Sequence, residues 1–196
     1  GLLITVCSLV IGIIFGATAG FFGGKVDNII MRFMDILLAI PQMLMAISIM
    51  AALGNSIVNL VIALTIASVP RFAYVVRSSV LGMNRSEFVE AAHSYGSSNA
   101  RIIAKHIVPN IIGPIIVQAT TSLARSILLI SSLSFIGLGL PSEIPEWGAM
   151  ISAAKVNMRH YPYLIYFPGL AILVSVLSMN LIGDGLRDAL DPKLMN

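Results

Sequence analysis

Charge is what this 196-residue sequence has least of. Aspartate, glutamate, lysine and arginine make up 11% of it, against about 25% in an ordinary soluble domain. With 57% hydrophobic residues and a mean hydropathy of +0.93, it has too few ionised groups to coat a water-facing surface, which excludes a soluble globular fold. Cysteine is nearly missing too. Cys7 alone, inside an apolar run, excludes a disulfide framework or a thiol pair for zinc and reads as a small packing or lipid-facing residue. Nucleotide chemistry is equally short of residues: Gly24-Lys25 is followed by Val26 and preceded at the required distance by Ala19, so no phosphate-binding P-loop exists. His93, His106 and His160 are scattered, without an HExxH pattern or a close carboxylate, and there is no GxSxG. No residue is assigned to catalysis, a metal or a resident cofactor.

What is present is hydrocarbon in blocks. A helix needs about 20 apolar residues to cross about 30 Å of lipid. Five stretches qualify: Leu2 to Phe22, Ile36 to Leu53, Ser56 to Val76, Ile107 to Ala124, and Tyr161 to Gly183. Backbone groups must be satisfied internally in lipid, so all five read as helices and the fold class is an all-α polytopic membrane bundle. The first span begins at residue 1 without a basic flank, unlike a signal peptide; the expectation is a sixth span upstream in the intact protein. Gly12, Gly16 and Gly20 repeat at four-residue spacing and predict close helix packing, within the chain or across a subunit boundary.

Lysine and arginine set the orientation. One side collects Lys25, Arg32, Arg71, Arg77, Arg85, Arg101, Lys105, Arg187 and Lys193, the other only Lys155 and Arg159. The richer side is therefore read as cytoplasmic, including the stretch EFVEAAHSYGSSNARIIAKHIVPN and the C-terminus. Topology accounts for most of the +3 net charge, leaving no case for nucleic acid.

That cytoplasmic stretch, 84–109, is a polar interruption with helical order. Asn84 and Glu87 have capping-box spacing, and Phe88, Ala91, Ala92 and Tyr95 share one helical face. Glu87, Glu90 and Ser94 flank it. Gly96 suits a left-handed helix end, Ser97 or Ser98 the next cap, and Pro109 a helix start. Two readings stand: amphipathic helices resting on lipid headgroups, or a glycine-hinged knob that enters a groove of a soluble partner.

Glu90-Ala91-Ala92, Gly96 and Pro109 resemble the EAA motif of the permease subunits of binding-protein-dependent ABC importers. His106 and Val108 depart from its usual isoleucine and leucine. GGKVDNIIMRFMDILLAIP, GLGLPSEIPEWGAMI and PGLAILVSVLSMNLIGDGLRDALDP are similar to the dipeptide, oligopeptide and nickel branch, second permease of the pair, over essentially the whole chain. The resemblance implies one transmembrane domain over 1–196 in a bacterial or archaeal inner membrane. It also implies two ATPase subunits that bind the ATP, a second homologous permease and an extracytoplasmic substrate-binding protein. Glu90, Ala91, Ala92 and Gly96 would be the ATPase-coupling positions, and the cargo peptides or nickel complexes. An ATP-independent transporter or channel would show acidic or histidine relays or an inverted repeat, and neither is found; a membrane hydrolase would need a nucleophile and base at depth.

Ionised residues inside spans carry separate expectations. Arg71 is read as snorkelling to the cytoplasmic surface and Asp35 as pairing with Arg32. Arg125 has two readings, structural pairing or lining of the translocation path in the outer half of its span. IGLGLP (136–141) should break the long apolar run beginning at Ile107. A short helix from Pro145-Glu146-Trp147 should follow, with Trp147 as interfacial anchor or receptor ledge, and Pro168-Gly169 should kink the last span. Asp184, Arg187, Asp188 and Asp191 read as a solvated helix end.

Overall fold

The computed structural model describes residues 1–84, 86–140 and 144–190. The described residues form an all-helical bundle in which four helices, α1 (Leu2–Phe22), α4 (Ile57–Met83), the Asn99–Phe135 run ending in α7 (Ile112–Phe135), and α9 (Tyr163–Leu190), are individually long and apolar enough to span a membrane. A fifth crossing is available only as a bent pair, α2 (Gly24–Ala39) and α3 (Gln42–Leu53), which meet at 85°. The expected single span from Ile36 to Leu53 is thus divided. Pro41 lacks an amide hydrogen and disfavours helical backbone at Ile40, which is extended at φ −91° and ψ 124°.

α1 and α4 form the spine. Gly12, Gly16 and Gly20 all face α4, so the glycine steps serve contact within the chain. A methyl group on Gly16 would lie 2.5 Å from the Ala73 carbonyl oxygen and 2.8 Å from Val76 Cβ, and one on Gly20 would lie 2.8 Å from Val80 Cβ. On Gly12 it would run into Phe72. Bare glycine therefore lets the two backbones touch, and dispersion along the seam replaces the hydrophobic drive that lipid does not supply. Ser8 Oγ donates to the Ile4 carbonyl at 2.7 Å and reaches the Thr65 carbonyl at 3.3 Å, adding a polar stitch.

α2 folds back after two left-handed glycines, Gly23 (φ 61°) and Gly24 (φ 53°), burying Met31 and Met34 against Ala19, Val69 and Ala73. Asp27 is clamped bidentately by Arg77, while Asp35 accepts from the Tyr74 hydroxyl instead of pairing with Arg32. α3 buries Met45, and packs Ala46 and Met50 with Ile4, Leu60 and Leu133.

α4 runs on past Val76 to Met83, through Pro70. α7 runs past Ala124 to Phe135 and ends where the sequence predicts a break: Gly137 (φ 84°) donates to the Ser134 carbonyl and Leu138 to that of Leu133. Pro141 lies outside the described residues, as do Arg85, Asp191 and Lys193. α8 (Trp147–Ala154) is capped by the Glu146 carboxylate accepting from the Ala149 amide at 2.9 Å. α9 continues as one helix through Pro168-Gly169. Only 6% of the residues in its apolar window are fully buried, against 56% for α4, although it packs along α7 and α8.

Candidate coupling elbow and membrane arginines

The elbow begins where α4 ends. Asn84 does not cap the next helix: its side-chain amide donates to the Phe21 carbonyl at 3.0 Å, tying the end of α4 to the end of α1. The predicted capping box with Glu87 is therefore absent, and Ser86 occupies the N-cap position of α5 (Glu87–Ser94) with its hydroxyl turned to the Met83 carbonyl. Glu87 and Glu90 lie in the first turn of α5, where the helix dipole favours negative charge.

At the other end Gly96 behaves as its sequence context predicts. Its φ is +72°, its amide donates to the His93 carbonyl at 2.9 Å, and the Ser97 amide donates to the Ala92 carbonyl at 3.1 Å. This bond pair is a Schellman closure, which needs a left-handed residue at that position. No atom lies within 4 Å of where a Gly96 side chain would start, so the preference for glycine there comes from backbone geometry alone.

α6 (Asn99–Ile102) follows Ser98, whose side chain makes no cap bond. The helix then loosens into a π turn (Ile103–Ile107), with the Val108 amide reaching the Ile103 carbonyl, and tightens into a 3₁₀ turn (Val108–Ile111) carrying Pro109, before α7 begins. Changes of helical pitch inside one continuous rod mark sites of altered winding.

The faces of α5 differ from the predicted stripe. Val89 and Ala92 point inward, 1% and 8% exposed, into a cluster with Phe21, Val76, Val80, Ile102 and Ile107. Ala92 therefore seats the elbow on its own bundle. Phe88, Ala91 and Tyr95 point outward, Tyr95 being 89% exposed, with Glu87 and Glu90 beside them. The hydrophobic stripe splits because a helix pressed onto a bundle must give one side to it, and Val89, outside the expected stripe, joins Ala92 there. His93 is no free loop residue: its ring stacks on Phe21 with centroids 5.9 Å apart and planes at 22°.

In the spans, Arg71 is half-buried and stands beside Phe72, which packs on Gly12 of α1. Arg77, about 9 Å further along α4, lies against Gly20 and belongs to Asp27. Arg125 lies near the middle of α7 and is exposed. Among the described residues no cluster of histidine, cysteine, aspartate or glutamate could hold a metal.

Residues 12–196 match the family described as the binding-protein-dependent transport system inner membrane component. The chain belongs to this family. Among similar curated proteins is the dipeptide transport system permease protein of Alkalihalophilus pseudofirmus, 46% identical over 95% of this chain and 62% of the relative. Another is the di/tripeptide transport system permease protein of Pseudomonas aeruginosa, 43% identical over 100% of this chain and 65% of the relative. The glutathione transport system permease protein of Pectobacterium atrosepticum is 42% identical over 99% and 64%. The chain thus spans less than two thirds of the length of these curated relatives. Its fold is similar to that of the MetNI methionine ABC transporter in an inward-facing conformation, with a TM-score of 0.69 at 16% identity, covering 96% of this chain and 91% of that one. It is also similar to an amino acid ABC transporter solved with histidines, with a TM-score of 0.59, again at 16% identity, over 96% and 90%. As a family member with these spans, the chain is a multi-pass membrane protein of a transport system.

Proposed function

We propose that the chain is the core of a permease subunit of an ATP-driven importer of short peptides, and that its α5–α6 elbow transmits the movements of separate ATPase subunits to the spanning helices. The carrying observation is the outward α5 face, Phe88, Ala91 and Tyr95 with Glu87 and Glu90, on a helix whose opposite face is bolted to the bundle through Val89 and Ala92. A helix so mounted is a lever: force on the outer face passes through Ala92 to α1 and α4, and along the Asn99–Phe135 rod to α7. An amphipathic headgroup helix would present a broader apolar surface and would not spend its small residues on a fixed seat.

In this reading residues 1–196 form one transmembrane domain and 84–109 its coupling element, facing the cytoplasm with the C-terminus, as the lysine and arginine distribution favours. Glu90 offers charge to the ATPase, Ala91 permits close approach, Ala92 fixes the seat and Gly96 sets the angle between the helices. Two ATPase subunits hold and hydrolyse the ATP. A second, related permease completes the pathway beside the open flank of α9, and an extracytoplasmic binding protein delivers the cargo. The chain itself performs no catalysis. Short peptides are preferred to nickel complexes because the similar curated proteins carry dipeptide, di/tripeptide and glutathione in their names. Arg125 lines the path.

The test is reconstitution of the assembled complex in proteoliposomes with labelled alanyl-alanine. Uptake should require the binding protein and ATP on the elbow side, and should stop when the ATPase subunits are omitted. Undiminished accumulation without them overturns the proposal.

A further inference from the structure

Two guanidinium groups within apolar spanning helices are left without an acid. α1, α3, α4 and α7 contain no aspartate or glutamate. The two acids of α2 are engaged elsewhere, Asp27 with Arg77 and Asp35 with Tyr74. Among the described residues the Asp27–Arg77 contact is the only ion pair, so neither Arg71 nor Arg125 has one.

The two also share one helix contact. α4 and α7 pack together, with Val76 and Val80 clustered with Ile111 and Ile115 at one end and Leu60 and Leu64 with Leu133 at the other, and Arg71 and Arg125 fall between these two ends. Arg71 is half-buried and Arg125 exposed, so both lie at an open side of the α4–α7 contact and not inside the α1–α4 seam. One helical turn from Arg71 on α4, Ser68 accepts from the Gln42 side-chain amide at 2.9 Å, beside the break between α2 and α3. The surroundings of the contact are therefore polar on two helices and positive on two.

Like charges held together in a low-dielectric layer repel, and each also loses hydration; ionised residues within spans are retained where they meet an ion or a path. Arginine, moreover, presents a planar fork matched to a carboxylate. We propose that Arg71 and Arg125 together form an anion station within the spans, which receives the carboxylate of the cargo as it passes the α4–α7 contact. This rests on the permease reading above and gives it a substrate class: small molecules with a free carboxylate, the peptide C-terminus being the one shared by all short peptides. Pairing with a fixed carboxylate of the companion permease is the rival occupant.

The experiment uses the whole complex in proteoliposomes, with Cys7→Ala to remove the native thiol and Leu128→Cys as reporter. Leu128 is exposed and one turn from Arg125 on the same face of α7. Rates of labelling by an anionic sulfonate thiosulfonate and a cationic trimethylammonium thiosulfonate are measured, and their ratio compared between variants. Arg71→Gln and Arg125→Gln should each lower the anionic-to-cationic ratio about a hundredfold, because a unit charge about 10 Å away at an effective dielectric near 20 changes each reagent's rate by about tenfold in opposite directions. Arg→Lys at either position should keep the ratio. Alanyl-alanine uptake should fall at least tenfold in the Gln variants while assembly and basal ATP hydrolysis persist, and Lys should restore part of it.

An unchanged ratio in both Gln variants, with uptake of alanyl-alanine by the unmodified complex intact, overturns the station and leaves the permease reading standing. Gln variants that lose the companion permease on purification also overturn it, assigning the arginines to subunit pairing. A ratio that responds as expected in a complex that imports no alanyl-alanine upholds the station and refutes the peptide assignment alone.

Discussion

Replacing Gly96 tests the elbow as a mechanical part. Its φ of +72° lies in the left-handed region, and a side chain there would meet open space. The cost of substitution is therefore confined to the backbone: about 1–2 kcal/mol for alanine held left-handed, less for asparagine, which tolerates that region, and more for a β-branched residue. The chain can escape by rotating to negative φ, but it then surrenders the Gly96-to-His93 and Ser97-to-Ala92 bonds of 2.9 and 3.1 Å, worth about 1 kcal/mol each. Either way the ratio of docked-geometry to swung-away elbow falls about tenfold per 1.4 kcal/mol. A series with glycine, asparagine, alanine and valine at this position should then show graded loss of cargo-stimulated ATP hydrolysis and uptake in the reconstituted complex. The Gly96→Asn variant should stay within a few-fold of the parent. Gly96→Val should lose at least tenfold, with the thermal midpoint of the chain falling by only several degrees, because the cost is backbone strain and no packing is lost. Full transport by the Gly96→Val variant, or equal defects for the asparagine and valine substitutions, would refute the reasoning.

The two faces of α5 should separate in the same assays. Phe88→Ala and Tyr95→Ala remove exposed aromatic anchors, so each should weaken ATPase association by about 1–2 kcal/mol without altering stability. Ala92→Leu overfills the Phe21–Val80 cluster and should destabilise the chain by about 1–3 kcal/mol; if a pull-down and a melting curve show the reverse pattern, the orientation of the elbow is wrong. Gly16→Leu should force α1 from α4, lowering the thermal midpoint in detergent far more than Gly169→Leu, whose added carbon meets nothing. Arg77→Ala should cost about 1–3 kcal/mol by leaving Asp27 unpaired, and adding Asp27→Ala should recover part of it; a strictly additive double variant would show that the pair contributes nothing.

Long apolar runs, glycine steps and the Gly96 hinge were legible because each rests on a local rule: length against membrane thickness, small residues at four-residue spacing, and a left-handed residue after a helix. The 136–141 break was legible for the same reason, from excess length. Three features needed neighbours. Asn84 prefers the Phe21 carbonyl to its own helix, a choice visible only once α1 and α4 are side by side. Ala92 and Val89 turn inward because the elbow leans on Phe21 and Val80, the first of them far away in the chain. Asp35 stands within a turn of Arg32, but its partner is the Tyr74 hydroxyl, brought beside it only by the packing of α2 on α4. The division of the second span was written in Pro41, yet an apolar run on both sides of a proline reads as one helix until its backbone is traced.

That division also bears on how the chain enters lipid during synthesis. The 12 residues of α3 make a rod of about 18 Å, well short of the hydrocarbon thickness, and α2 brings Lys25, Asp27, Arg32 and Asp35 with it. Neither half is a self-sufficient insertion signal to the translocation machinery. The bent pair is therefore expected to enter lipid only with α1 already in place and α4 arriving to close over Met31, Met34 and Gln42, so that integration of this region follows the order of synthesis and not each segment's own greasiness.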